Sequence, residues 1–307
     1  MSLATKSGYV LIDHMTPATI LPSLFVPNLT FKSGSLTNTS LLVTTEREIL
    51  EIDLRSSEVV THISSPEFND LHHVIEFDNR LAAVDAGRDV VFLMSRKGEI
   101  ESIVDVGATP GAPIPRSPGT MDYRRISTKP HAFHANFIQL LHGRILVTRC
   151  SSGDVVSPTM SNYRLPVADD LIHDGQWYDS LLWFTTVRGQ LIGADPEELK
   201  VVERLDLHTI AGTHGGTGWC RGLWIKDDIA AVGFSALRQT RTRAFVRRAI
   251  HPSFGDRSTG VTRIELFQLS SRRHLATLTL EDWGLDSIFS ILEAPQMLDG
   301  APRGGSN

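Results

Sequence analysis

The chain has 307 residues, 41% of them hydrophobic, enough to bury the core of one large all-β domain or of two ordinary ones. Its net charge of −5 carries no basic excess, which argues against nucleic acid and anionic membrane as general partners. No apolar run reaches membrane-spanning length and the N-terminus lacks the apolar core of a secretion signal, so the expected location is the cytoplasm.

Strand signals run through the whole chain. Residues 9–12 and 18–21 are short apolar stretches ahead of the first clear pair, residues 40–45 and 48–54, which reverse at Glu46-Arg47. From Leu50 the second run alternates apolar and acidic residues, as a half-buried strand does. The layout returns at 73–77 and 81–84 around Asp78-Asn79, and at 136–141 and 145–148 around His142-Gly143. A fourth copy starts at His173-Asp174, turns near Tyr178-Asp179 and runs through 181–186 and 190–195. The fifth holds Trp219-Cys220-Arg221-Gly222-Leu223 and residues 231–238, and resumes at 261–267 after an insertion.

The turn residues supply positive φ or side-chain-to-backbone bonds, so each unit reads as an antiparallel meander. A lone meander cannot bury its face, whereas several around an axis can. The predicted fold is therefore an all-β β-propeller over residues 1–295, followed by a disordered tail at 296–307. Counting repeats gives six blades, the last closed by strands from both chain ends (9–12 and 18–21 with 287–292), with five and seven as the neighbouring counts. A two-sheet sandwich is the competing architecture. The two cysteines, Cys150 and Cys220, read as free buried thiols.

The order Trp219-Cys220-Arg221-Gly222-Leu223, then Ala231-Val232-Gly233-Phe234-Ser235 and Arg238, then Ser287-Ile288-Phe289, resembles the C-terminal half of an uncharacterised bacterial family, the DUF4915-type conserved hypothetical proteins. The resemblance covers residues 170–295 and departs at 234–237, where a Leu-Ser-Lys-like run is expected. That family supplies no activity to carry over, so the resemblance implies the propeller alone.

In a propeller the innermost strands line a channel, and ligands meet residues at one mouth of it. The starts of the expected inner strands are polar: Asn69, Asp70, His72 and His73; His131, His134 and Asn136; His173 and Asp174; Arg221. The catalytic candidates are His72, His73, His134, His173, Asp174 and Arg221, the last as an anchor for a carboxylate or phosphate. Asn69, Asn136, Trp219 and Arg238 are the ligand-binding candidates. His73, His134 and His173 form a candidate set of ligands for a divalent transition metal. Alternation requires His72 and His73 to point oppositely if both lie in a strand. The competing role for each is a hydrogen bond to a neighbouring blade's backbone.

Compact catalytic motifs are missing from the sequence. The glycine-rich stretch at 212–218 has no Lys-Ser/Thr after it and reads as an inter-blade loop, and Gly233-Phe234-Ser235-Ala236-Leu237 lacks the last glycine of a nucleophile elbow. Arg238, Arg241, Arg243, Arg247 and Arg248 mark a charged insertion, read as a solvated excursion or a lid over the channel mouth. Two functions follow as expectations. One is an enzyme acting on a small-molecule ligand at the channel mouth through histidines, with or without a metal. The other is a non-catalytic propeller that binds a protein or glycan through its loops.

Overall fold

The computed structural model describes residues 3–6, 9–12, 31–117, 119, 121–212, 219–235, 261–280 and 287–293. Its secondary structure is almost entirely strand, arranged as five four-stranded antiparallel sheets. The first sheet runs β3 (Gly34–Leu36), β4 (Ser40–Thr44), β5 (Glu48–Asp53), β6 (Val59–Ser64); the second runs β7 (Leu71–Phe77), β8 (Arg80–Asp85), β9 (Val90–Ser95), β10 (Ile100–Asp105). The third holds β11 (Ala135–Leu141), β12 (Arg144–Arg149), β13 (Asp154–Val156) and β14 (Arg164–Pro166). β15 (Ile172–Tyr178), β16 (Leu181–Thr186), β17 (Gln190–Asp195) and β18 (Lys200–Asp206) make the fourth. The fifth is β19 (Trp219–Lys226), β20 (Ile229–Ser235), β21 (Arg263–Gln268) and β22 (Arg273–Thr279).

Turn chemistry accounts for this regularity. In four of the sheets the first two strands are joined by two residues with positive φ: Asp78 and Asn79, His142 and Gly143, Asp179 and Ser180, Asp227 and Asp228. Two consecutive left-handed residues make the type I′ reversal, whose twist matches that of the flanking strands, and Asn, Asp and Gly tolerate it best. In the first sheet the reversal is closed instead by Thr37, whose Oγ1 accepts from the Ser40 backbone N–H at 2.9 Å.

Among the described residues there are five four-stranded sheets, not six, and the expected closing blade does not form. β1 (Leu3–Lys6) and β2 (Tyr9–Ile12) pair only with each other in a two-stranded sheet. Residues 287–293 are not strand, and residues 18–21 lie outside the described ones. The count reached six because the terminal runs were taken for a blade of their own, and β3, which opens the first sheet, escaped because three residues are too short to show a period. β3 needs Gly34, since a Cβ there would sit 2.0 Å from the Leu42 carbonyl oxygen. The disordered tail predicted for 296–307 also lies outside the described residues.

The described residues fall into two compact units, one drawn from residues 31–140 with 292 and 293 and the other from residues 141–291. In the first unit β3 packs against β7, and Leu42, Ile49, Leu71, Phe92 and Met94 belong to one core in which Phe68 meets Phe92 edge-on at 5.1 Å. Leu292 packs on a smaller cluster with Phe31, Leu41 and Ile52. In the second unit β15 packs against β19, and Leu191, Leu205, Cys220, Val232 and Phe234 share a core. Cys150 and Cys220 are free and buried, as expected of structural thiols. The fourth strands β6, β18 and β22 alternate toward solvent, so polar groups buried at the first strands stand out against an otherwise ordinary sheet protein. Among the described residues no helix is long and apolar enough to cross a membrane.

Candidate functional site

Three first strands carry a register shift at the same place in the sheet. It falls between Leu71 and His73 in β7, between His173 and Gln176 in β15, and between Cys220 and Leu223 in β19. A bulge adds a residue and re-aims the side chains around it, which is why polar residues gather there instead of alternating out of the core. Asp174 takes φ 65° at its bulge and Gly222 takes φ 84°. A Cβ on Gly222 would meet Ile288 Cγ2 at 2.8 Å.

In the first unit the long connection between β10 and β11 folds back over β7. Polar contacts hold it at successive points. Ser117 N–H donates to Glu67 at 2.8 Å, Tyr123 N–H to the Pro66 carbonyl at 2.8 Å, and the Asn69 amide to the Tyr123 and Ile126 carbonyls, each at 3.0 Å. Arg88 pairs with Glu67 and lies over the Tyr123 ring at 4.2 Å. Asp89 accepts from the backbone N–H groups of Phe133 and Ala135 at 3.1 and 3.0 Å. Asn69, expected to bind ligand, is thus a clamp on this segment.

The segment delivers Lys129, His131 and His134 onto Asp70 and His72. His131 Nε2 lies 2.9 Å from Asp70 Oδ2, and Lys129 Nζ lies 3.4 Å from the same oxygen. Lys32 Nζ is 3.9 Å from Asp70 Oδ1, and both lysines also reach Glu46. Burial alone would push the Asp70 carboxyl up, but His72, the His131 hydrogen bond, Lys32 and Lys129 outweigh it and hold Asp70 well below the usual carboxylate range. Asp70 is therefore an anion at every ordinary pH.

Hydrogen-bond logic assigns the tautomers. His72 Nδ1 faces the Asp70 carbonyl at 3.0 Å and must carry a proton, because a carbonyl only accepts. In the neutral ring His72 Nε2 is then a lone pair, and it faces His134 Nε2 at 3.2 Å, which donates to it. The carboxylate likewise fixes the proton of His131 on Nε2 and leaves Nδ1 as the basic lone pair. The His131 and His134 rings meet edge-on at 5.1 Å, and His72 and His134 at 5.0 Å. Two buried atoms here make no hydrogen bond: Asp70 Oδ1 and His131 Nδ1.

His73 points away from this cluster, as strand alternation requires. Its Nε2 lies 3.0 Å from the Gly34 carbonyl, its Nδ1 lies 2.8 Å from the Ile138 carbonyl and 3.3 Å from the Ile138 N–H, which directs its hydrogen toward that nitrogen, and its ring stacks on Phe137 at 4.0 Å. Burial pulls its pKa down to about 4, so the ring is neutral. Both nitrogens are committed to backbone, which removes His73 from the expected metal set. Among the described residues no group of three or more His, Cys, Asp and Glu side chains is arranged to hold a metal ion. Replacing His73 by leucine is expected to cost about 1–2 kcal/mol of stability, because the single N–H of the neutral ring serves one buried carbonyl, which loses its donor. Chemical denaturation reads that loss, and a change below 0.5 kcal/mol would contradict the bridging role. Asn136 is buried in β11.

The remaining candidates lie in the second unit. His173 Nε2 accepts from the Trp219 indole at 3.2 Å and lies 3.7 Å from Cys150 Sγ, a thiol that burial pushes up to about 12. Such a thiol is no nucleophile. Asp174 accepts from Thr185 Oγ1 at 2.5 Å and from the Gly222 N–H at 3.0 Å. Burial raises its carboxyl to about 6 against those hydrogen bonds and the Arg221 charge. Arg221 donates through Nε to the Ile288 carbonyl at 2.8 Å and lies over the Phe289 ring at 3.5 Å. Ser235 is buried and exchanges hydrogen bonds with the Ile288 backbone, so it is not an exposed nucleophile. Arg238, the rest of the arginine-rich insertion and residues 213–218 lie outside the described residues.

Sequence reasoning named His72, His131, His134 and Asp70 as polar starts of strands, yet it missed Lys32, Glu46 and Lys129. Lysine and glutamate ahead of a strand read as solvent-facing, and only the fold-back of residues 106–134 shows what they meet. The tie from His73 to its neighbours has a counterpart in Gln176, whose amide bonds both the N–H and the carbonyl of Ile225 on β19, at 2.7 and 3.0 Å.

No family model matches the chain, and no curated protein does. Among solved structures it is similar to a protein of unknown function from Bacteroides caccae, with 11% identity, 87% of each chain covered and a TM-score of 0.60. It is also similar to the Pan2 WD40 domain of Neurospora crassa, with 13% identity, 85% of this chain and 70% of that chain covered, and a TM-score of 0.52. Likeness at these identities speaks for the fold alone. With the five meanders, it makes this an all-β chain with the β-propeller fold, with five four-stranded blades among the described residues.

Proposed function

We propose that the protein is an enzyme that moves a proton on a small molecule through the imidazoles of His72, His131 and His134. The observation that carries this reading is the His131–Asp70 pair. A buried carboxylate holds one ring nitrogen as N–H at 2.9 Å while the other, Nδ1, makes no hydrogen bond. A carboxylate that fixes tautomer and orientation and stabilises the imidazolium is how a histidine is made into a general base. His134 sits against the same group with its proton directed to His72. Asp70 is the positioning residue, since its charge is spent on its four basic neighbours. The buried free thiols Cys150 and Cys220 favour a reducing, cytoplasmic setting for this chemistry.

A test that needs no prior choice of substrate is incubation with a deproteinised metabolite extract followed by mass spectrometry. A compound consumed by the wild-type protein and left intact by the folded His131→Gln variant is the expected result. An extract that the wild-type protein leaves unchanged, or one transformed equally by the variant, overturns the reading. Retention of a compound without its conversion would identify a binding protein instead.

A further inference from the structure

From the two unbonded atoms of the histidine site, and resting on the reading above, we infer that its ligand is a neutral polyhydroxyl compound of the monosaccharide or polyol class. Both atoms are acceptors. Asp70 Oδ1 is a carboxylate oxygen and His131 Nδ1 is a lone pair by the tautomer that Asp70 imposes. A buried acceptor without a donor is costly, and such atoms mark places where a partner belongs. What completes them must bring O–H or N–H groups.

Charge narrows the choice. Lys32 and Lys129 lie within 4 Å of the Asp70 carboxylate, at 3.9 and 3.4 Å, so an ammonium entering here meets two like charges. An anion would set its charge against Asp70 Oδ1, in surroundings where burial amplifies the repulsion. A hydroxyl carries neither penalty. It can donate to Asp70 Oδ1 or His131 Nδ1 while a neighbouring hydroxyl oxygen on the same molecule accepts from a lysine. Several adjacent hydroxyls satisfy this alternation of acceptors and donors better than one does, which is the arrangement a sugar ring or a polyol presents.

Both atoms are buried, so a ligand must displace part of the segment beside them while the His131–Asp70 bond stays closed. The contacts that tie residues 128 and 129 to β7 and its approach are polar: Thr128 Oγ1 to Asn69 Oδ1 at 3.2 Å, and Lys129 to Asp70 and Glu46. Hydroxyls can exchange for such contacts one by one, whereas an apolar ligand could not. Lys129, whose side chain is 58% exposed, is the outward member and the first to give way.

Isothermal titration calorimetry with glucose, galactose, xylose and myo-inositol, beside gluconate, glucose 6-phosphate and glucosamine, tests the inference on the full chain. At least one neutral compound is expected to bind saturably, about tenfold more weakly to the His131→Gln variant, as loss of one hydrogen bond predicts. Long-range proton–nitrogen spectra of the wild-type protein provide a readout that needs no variant. The His131 Nδ1 resonance should have the position of an unprotonated nitrogen and should move when the compound is added. Binding of charged compounds alone, with conversion of a metabolite still lost in the variant, overturns the ligand class and leaves the enzymatic reading standing. A neutral compound that binds without moving Nδ1, or no binding by any of the seven, overturns the inference.

Discussion

Replacing Asp70 by alanine is expected to cost about 3–5 kcal/mol of unfolding free energy at pH 7, the range found when one partner of a buried charge pair is removed. The reason is what stays behind. Lys129 can swing into water, but the Lys32 side chain is only 10% exposed and would keep its charge beside His72 and His131 with Glu46 as its ion partner at 3.6 Å. At an effective dielectric constant of 20, a pair 4 Å apart interacts by about 4 kcal/mol, so one lost contact of this kind is enough to dominate the result. Asparagine should rescue little, because it restores an acceptor and no charge. Adding Lys32→Met to the alanine variant should recover a measurable part, since the two sites are coupled. The pH dependence has a definite sign. The folded Asp70 carboxyl is held below its ordinary value of 3.8, so its contribution is fully present above that value and is lost as pH falls beneath it. Urea denaturation at pH 7 and pH 3 checks this. The penalty of the alanine variant should shrink at the lower pH, and a penalty under 1 kcal/mol at pH 7 would show that the carboxylate does not anchor the cluster.

Much of this arrangement was legible in the sequence, for physical reasons that differ from residue to residue. Asp78-Asn79, His142-Gly143 and the residues around Asp179 marked the reversals because few residues accept positive φ, and the second, third and fourth blades were located from them. β3 escaped because its three residues, Gly34–Leu36, show neither alternation nor a β-branched side chain, whereas the apolar runs at 9–12, 18–21 and 287–292 were counted as a sixth blade. His72 and His73 were expected to diverge, and they do, one toward His134 and the other onto the backbone of Gly34 and Ile138. Their roles could not be read in advance, because what each meets is set by residues far along the chain. Ile138, for instance, lies 65 positions from His73. Residues 106–134 carry no period at all, and their placement depends on Glu67, Asn69, Arg88 and Asp89, which look like surface residues until the turns that carry them are in place. Turn chemistry is local and can be read from sequence, whereas a site assembled from a fold-back loop is not local.

Asp174 and Asp85 supply the opposite pH effect to Asp70. Both carboxyls are buried and pushed up to about 6, Asp85 with the Asp70 charge adding to the effect of burial and Asp174 against the pull of Thr185, Gly222 and Arg221. In each case the folded state holds its proton to higher pH than the unfolded chain, whose value is 3.8. The stability this gives is complete below about 3.8 and is lost as pH rises through about 6. The interval between the two values corresponds to about 3 kcal/mol for each group, an upper figure, at about 1.36 kcal/mol per tenfold change in proton affinity. An Asp174→Asn variant cannot ionise and so lacks its share of the slope. Relative to wild type it should gain about 2–3 kcal/mol between pH 4 and pH 7, whatever constant cost comes from placing an amide against Thr185 Oγ1 and the Gly222 N–H. Because the comparison is of slopes, titration of the histidines in the same interval cancels between the two proteins. Denaturation curves at half-unit pH steps measure it directly. Parallel profiles would mean that Arg221 and the two hydrogen bonds keep Asp174 ionised in the fold. The residue would then be a fixed anion at the β15 bulge, and could not exchange a proton near neutral pH.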